Sequence, residues 1–259
     1  MKLKFILFSV ATFFAATTLS AQTADEIIDT YFENTGGADN WRSLTGMLTK
    51  ATVNQQGMDI PITIIALKNG SMMMKLQLQG KELVQQAFDG TEAWATNFMT
   101  MEAEKSDSEA TENIKRESGE FPDPFLDYKD KGYSVELLGK ETVEGTECFK
   151  IKLTKKPTLV DGVDVDNFSY YFFDTENYVP IVVESEIKTG QMKGKISTIG
   201  FSDYQEVEGI YFPFSVSQGI KDMGSQVINF TSIELNPTID PAIFKFPVST
   251  ETENEEGGN

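Results

Sequence analysis

The spacing of apolar residues changes once along the chain, from a helical repeat to a strand repeat. Ala24, Ile27, Ile28, Tyr31 and Phe32 recur at helical spacing and share one face. Thr23 and Glu26 make a capping-box pair at the start of this helix, and Gly36-Gly37 supplies the left-handed residues that end one. A short second turn, 39–44, carries Trp41. From Met47 the period is two: runs at 48–54, 60–68, 72–79 and 83–88 alternate with Gln56-Gly57, Asn69-Gly70, Gly80-Lys81 and Asp89-Gly90, the turn chemistry of a hairpin meander.

The meander resumes in the second half. Segments 133–142 and 146–154 flank Glu144-Gly145, 168–175 and 179–188 flank Glu176-Asn177, 195–207 and 210–218 flank Glu208-Gly209, and 226–235 closes the run. About ten to eleven antiparallel strands are more than a flat sheet tolerates without curling. The prediction is a mainly β chain: one strongly curved antiparallel sheet, an incomplete β-barrel, with an N-terminal helix and a helical lid or flap.

Two stretches depart from simple alternation. Ile60-Pro61-Ile62-Thr63-Ile64-Ile65 and Met72-Met73-Met74-Lys75-Leu76 are apolar on both faces, so each needs a cover beyond one core, either a helix or a ligand. Residues 102–120 are acidic and lose the β period; they read as a polar surface helix or mobile flap, followed by Phe121-Pro122-Asp123-Pro124-Phe125-Leu126. Two readings stand for this region: a lid over one end of the sheet, or a solvated insertion with a single anchor.

The start of the chain reads as a secretory signal, with Lys2 and Lys4 before an apolar run and cleavage after Ala21. A membrane-retained signal anchor is the alternative. The expected division is a signal peptide at 1–21, one β domain at 22–248 and a disordered acidic tail at 249–259, in a periplasmic protein expected to be a monomer. The formal net charge of −18 counts both signal lysines and describes a surface that repels nucleic acid and anionic headgroups.

Histidine is absent, which removes Ser-His-Asp and Cys-His catalysis and His-ligated zinc. With 40 acidic residues, coincidental carboxylate pairs are expected, and no pair stands out as an acid–base couple. Cys148 is the single cysteine and reads as a half-buried strand residue opposite Phe149 and Ile151. The alternating acids at 161–166 resemble a calcium loop but lack the bidentate Glu at the required distance, so a polar hairpin is expected and no metal or cofactor. The methionine cluster suits a flexible apolar ligand. Met72, Met74, Leu76, Phe88, Trp94 and Phe98 are the expected lining, with core filling as the alternative.

The hairpin Phe201-Ser202-Asp203-Tyr204-Gln205-Glu206-Val207-Glu208-Gly209-Ile210-Tyr211-Phe212-Pro213 resembles the D-Y-x-x-V-x-G-x-x-x-P hairpin of the outer membrane lipoprotein-sorting, or LolA-like, proteins. Gly139 to Gly145 resembles their G-x-E-x-V-x-G hairpin, Asp174 with Pro180 their D-x-x-x-x-x-P strand pair, and Asp89-Gly90 with Trp94 their D-G-x-x-x-W. The N-terminal helix with Gly36-Gly37 and Trp41 is similar to Bacteroidetes-type versions. The resemblance spans nearly the whole chain after the signal, and it implies an incomplete β-barrel with a helical lid over a hydrophobic cavity. It implies a carrier or binder of an acylated lipoprotein or lipid, in transient contact with membrane proteins, rather than an enzyme. The arginine such carriers hold on an early strand has no counterpart, since 48–54 offers Lys50 alone. A regulatory or scaffold module that binds protein partners in the cell envelope is the alternative.

Overall fold

A computed structural model describes residues 22–247, so the signal at 1–21 and the acidic tail at 249–259 lie outside the described residues. The alternating segments form strands β1 (Gly46–Gln55), β2 (Met58–Leu67), β3 (Met72–Leu78), β4 (Lys81–Phe88), β5 (Ala93–Thr96), β6 (Ala103–Lys105), β7 (Ser134–Val143), β8 (Thr146–Thr154), β9 (Thr158–Val160) and β10 (Val163–Val165). They continue as β11 (Phe168–Asp174), β12 (Pro180–Glu186), β13 (Ile196–Val207), β14 (Ile210–Ile220) and β15 (Gly224–Leu235). Thirteen strands make one antiparallel sheet in the order β6-β5-β4-β3-β2-β1-β15-β14-β13-β12-β11-β8-β7, and β9 and β10 pair as a separate hairpin. The sheet curves without closing. It exceeds the expected strand number because β5 and β6 are too short to show a period in sequence.

Helix α1 (Ala24–Asn34) starts with the expected capping box and buries Ala24, Ile27, Ile28, Tyr31 and Phe32. Gly36 follows at φ 114°, and the Gly37 N–H donates to the Phe32 carbonyl at 2.7 Å. Gly36 also permits close packing, since a Cβ there would lie 2.2 Å from the Gly209 carbonyl oxygen. Helix α2 (Ala38–Ser43) then places Trp41, whose ring centroid lies 5.0 Å from that of Phe212.

The face on which α1 packs is the inner face. Its larger core joins α1 and α2 to Phe149, Ile151, Leu153, Phe173, Phe212 and Ile233. A second core lies on the outer face, where residues after β15 return across the sheet and Phe244 and Phe246 cover Ile65, Met73, Val84 and Trp94. The Trp94 Nε1–H donates to the Phe244 carbonyl at 2.8 Å.

Residues 106–133 run from β6, one edge of the sheet, to β7, the other edge. This strap contains α3 (Ser108–Glu117), which is N-capped by Asp107, packs on β9 and buries no residue. Its second part, 121–128, lies against α1 and the inner face, so the strap is tied along its length rather than at a single anchor. The acids at 161–166 fall in the β9–β10 hairpin as expected, with Asp164 accepting from the Arg116 guanidinium at 2.7 Å.

Candidate functional site: the inner face

Cross-strand pairing fixes which side chains share a face. Met72 pairs with Phe88, Met74 with Gln86 and Leu76 with Leu83, and through β2 these pair with Ala66, Ile64 and Ile62. These pair in turn with Met47, Thr49 and Ala51 of β1, which pair with Leu235, Ile233 and Phe230 of β15, while Val53, opposite Ile60, pairs with Ile228. Met72, Met74, Leu76 and Phe88 therefore point to the inner face.

The other two expected lining residues are placed elsewhere. Trp94 pairs with Ala87, which pairs with Met73, so it belongs to the outer core beneath Phe244. Phe98 lies in the turn after β5 and is exposed. In so short a strand the face of Trp94 is set by pairing, not by any sequence period.

The inner face is covered unevenly. Around α1 its side chains are sealed: Ile27, Leu44, Ile151, Leu153 and Phe173 are almost inaccessible. Toward the β1–β2 and β3–β4 turns a second cluster has a buried base of Ala51, Val53, Ile60 and Ile62, over which Ile64, Met74, Leu76, Leu78, Ile228 and Phe230 are only half-buried. Phe230 packs on both clusters and joins them. Ile64, Leu78, Ile228 and Phe230 escaped the sequence reading; their neighbours across the sheet are separated too widely along the chain for alternation to group them.

The strap is fixed on the inner face against α1 by polar contacts in a desolvated setting. Asp123 accepts from the Tyr31 hydroxyl at 3.0 Å and from the Phe125 N–H at 2.8 Å, while the Lys131 ammonium donates to its carbonyl at 2.8 Å. Burial raises the Asp123 pKa and lowers that of Lys131, and these hydrogen bonds oppose only part of the shift on Asp123. Partial desolvation raises Glu117, and burial raises Tyr133 to about 12. Lys155 pairs with Glu120 at 2.8 Å. Phe125 packs edge-on to Tyr171 and Phe173, with ring centroids 4.7 and 5.3 Å away.

Grooves elsewhere have mixed polar and apolar walls. One of about 570 Å³ between α1, α2 and 125–130 is lined by Asp25, Asp29, Glu33, Arg42, Asp127 and Lys129 among others. Another, about 660 Å³, lies between the end of α1 and the β11–β12 turn, with Asn34, Asp174 and Glu176 in its wall beside Val179, Ile181 and Phe201. Cys148 is fully buried on the outer face with Phe172 and Val182, more deeply than alternation suggested, and burial pushes its thiol up to about 11. Among the described residues no group of three or more acidic, Cys or His side chains gathers as a metal site, and no helix is long and apolar enough to cross a membrane.

The motif residues do conformational work. The Tyr204 hydroxyl donates to the Pro180 carbonyl at 2.6 Å, tying two of the signatures together. Asp89 accepts from the N–H groups of Thr91 and Glu92, and Asp174 from those of Glu176 and Asn177. Such signatures therefore carry fold before function.

This architecture is an incomplete antiparallel β-barrel whose two edges are bridged by a helical strap, with an apolar inner face. No protein-family model matches the sequence, and no curated protein matches it. Among solved structures it is similar to a LolA superfamily protein from Nitrosomonas europaea, at 12% identity and a TM-score of 0.53 over 87% of this chain and 98% of that one. It is also similar to a putative outer membrane lipoprotein-sorting protein domain from Vibrio parahaemolyticus, at 14% identity and a TM-score of 0.50 over 85% and 94%. The protein has the LolA-like fold.

Proposed function

We propose that this is a periplasmic binding or carrier protein that holds an acyl chain, of a lipid or a lipoprotein, on its inner face. The observation that carries the reading is the uneven cover of β2 and β3. Both strands are apolar on two sides; Phe244 and Phe246 close the outer side, while Ile64, Met74, Leu76, Leu78, Ile228 and Phe230 are left half-open on the inner side. A monomer gains nothing from keeping such a floor partly wet, so an apolar ligand is its natural complement. Burying about ten methylenes at ~0.8 kcal/mol each supplies ~8 kcal/mol before ordering costs, enough for reversible carriage.

Lipoprotein sorting is what the name of the Vibrio structure states of that protein, and the fold shared with it supports the reading. Met74, Leu76 and their row supply apolar surface rather than groups that move protons, so the role is binding without catalysis. Displacement of a fluorescent fatty acid tests it directly. Saturable displacement at micromolar ligand is expected, and a folded protein with native β circular dichroism that displaces nothing refutes it.

A further inference from the structure

In an all-antiparallel sheet every second connection leaves by the same end, so strand order alone sorts the turns onto two rims. One rim receives the connections at 56–57, 79–80, 97–102, 155–167, 187–195 and 221–223; the other receives 68–71, 89–92, 144–145, 175–179 and 208–209. Their chemistry differs. The first rim displays Met58 at the start of β2, Phe98 and Met99 between β5 and β6, Val163 on β10, Met192 before β13 and Met223 before β15, all exposed, with Met99 at 94%. Among the described residues no connection of the second rim carries an exposed large apolar side chain; Tyr211, just inside β14, lies nearest.

Charge divides the same way. The connections of the first rim hold six lysines against five acids, and those of the second hold one lysine against five acids. Lys155, Lys188 and Lys221 pair with glutamates, whereas Lys156, Lys193 and Lys195 are open to solvent. The display is also fixed: Asn97 Oδ1 accepts from the Met99 and Thr100 N–H groups at 2.8 and 3.3 Å, and the Asn97 N–H donates to the Glu102 carbonyl at 2.8 Å, which holds Phe98 and Met99 on a set turn.

Single exposed apolar residues are ordinary, but six of them along one rim against Tyr211 alone near the connections of the other make a surface. Thioether and phenyl tips interspersed with lysines match the headgroup region of an anionic bilayer, where ammonium groups stay with phosphates while apolar tips enter the interface. The half-open inner floor ends at this rim: Val53 and Ile60 flank the turn at 56–57, Leu78 the turn at 79–80, and Ile228 the strand after 221–223.

We propose that the methionine–lysine rim docks on an anionic bilayer surface, with the acidic rim turned away, so that an acyl chain passes between membrane and inner floor without crossing water. The overall negative charge does not forbid this, because the lysines are segregated: the connections of each rim hold five acids, and six of the seven lysines among them lie on the first rim. The proposal rests on the acyl-chain reading, and the test separates the two.

Purified exported protein is floated with vesicles of phosphatidylglycerol and phosphatidylethanolamine, and with phosphatidylcholine alone, at low and high salt. Wild type is expected to float with the anionic vesicles and less so at high salt. The double variant Met99→Asp, Met223→Asp should partition at least about tenfold more weakly, while Tyr211→Asp on the opposite rim floats as wild type. Met58→Ser with Met192→Ser serves as a second, charge-neutral variant should the first not fold. Wild type that stays unbound, a folded rim variant that floats unchanged, or flotation only when the vesicles contain membrane proteins overturns the proposal, the last by assigning the rim to a protein partner. Fatty-acid displacement in vesicle-free solution should be unchanged in the rim variants; its failure in wild type strikes the acyl-chain reading alone.

Discussion

Met73 and Met74 are neighbours in sequence and opposites in the fold, which makes them the sharpest test of where the ligand sits. Met73 is 4% exposed on the outer face, packed with Ile65, Ala87, Trp94 and Phe244. Truncating it to Ala leaves a cavity that the sheet cannot close, costing about 2–4 kcal/mol of stability. For a domain of this size that lowers the thermal midpoint by ~5–15 °C. Met74 is half-buried on the inner floor, so Met74→Glu costs the free protein little, because the new carboxylate reaches water.

A bound chain removes that water. The ligand then loses the rest of the Met74 surface, about 1 kcal/mol, and must partly desolvate a carboxylate for ~1 kcal/mol or more, a sum near 2 kcal/mol or ~30-fold in affinity. Thermal melts followed by circular dichroism measure the first effect and fluorescent fatty-acid displacement the second. The expected pattern is crossed: Met73→Ala melts early and binds normally once folded, and Met74→Glu melts normally and binds weakly. Should Met74→Glu bind within about threefold of wild type, or should Met73→Ala weaken binding at temperatures where it is folded, the inner floor is not the binding surface.

Three further outcomes follow from other residues. The raised pKa of Asp123 means that the stability tied to its protonated form is fully present below the unfolded value of about 3.9 and lost as pH rises through the folded value; Asp123→Asn should therefore melt increasingly above wild type as pH rises from ~4, and a difference that shrinks with pH contradicts the desolvation argument. Gly36→Ala must adopt φ near 114° and push a methyl into the Gly209 carbonyl, so a loss above about 2 kcal/mol is expected in urea melts, and a change under ~0.5 kcal/mol means the α1 end is not packed on the β13–β14 turn. Cys148, buried with its thiol pushed up to about 11, should resist a disulfide reagent at pH 8 in the native protein and react fully in guanidinium; prompt native labelling would place it at the surface.

Alternation of period two with glycine turns determined the antiparallel meander, and the capping box with its paired glycines determined α1, because these signals are local and act within a few residues. The two-sided apolar character of 60–65 and 72–76 also announced that one core would not account for β2 and β3. What covers each side was a tertiary decision: Phe244 and Phe246 arrive from about 150 residues away to close the outer face over Trp94. Pairing, not spacing, therefore sent Trp94 outward, left Phe98 on a turn, and joined Met74 to Ile233 and Leu76 to Phe230 across β2 and β1. The acidic stretch at 102–120 showed its polarity in sequence, but its role as a strap between β6 and β7 came from the sheet placing those two strands at its opposite edges. The two chemically distinct rims arise the same way, since each turn is unremarkable alone and becomes a surface only when antiparallel order stacks it beside its counterparts.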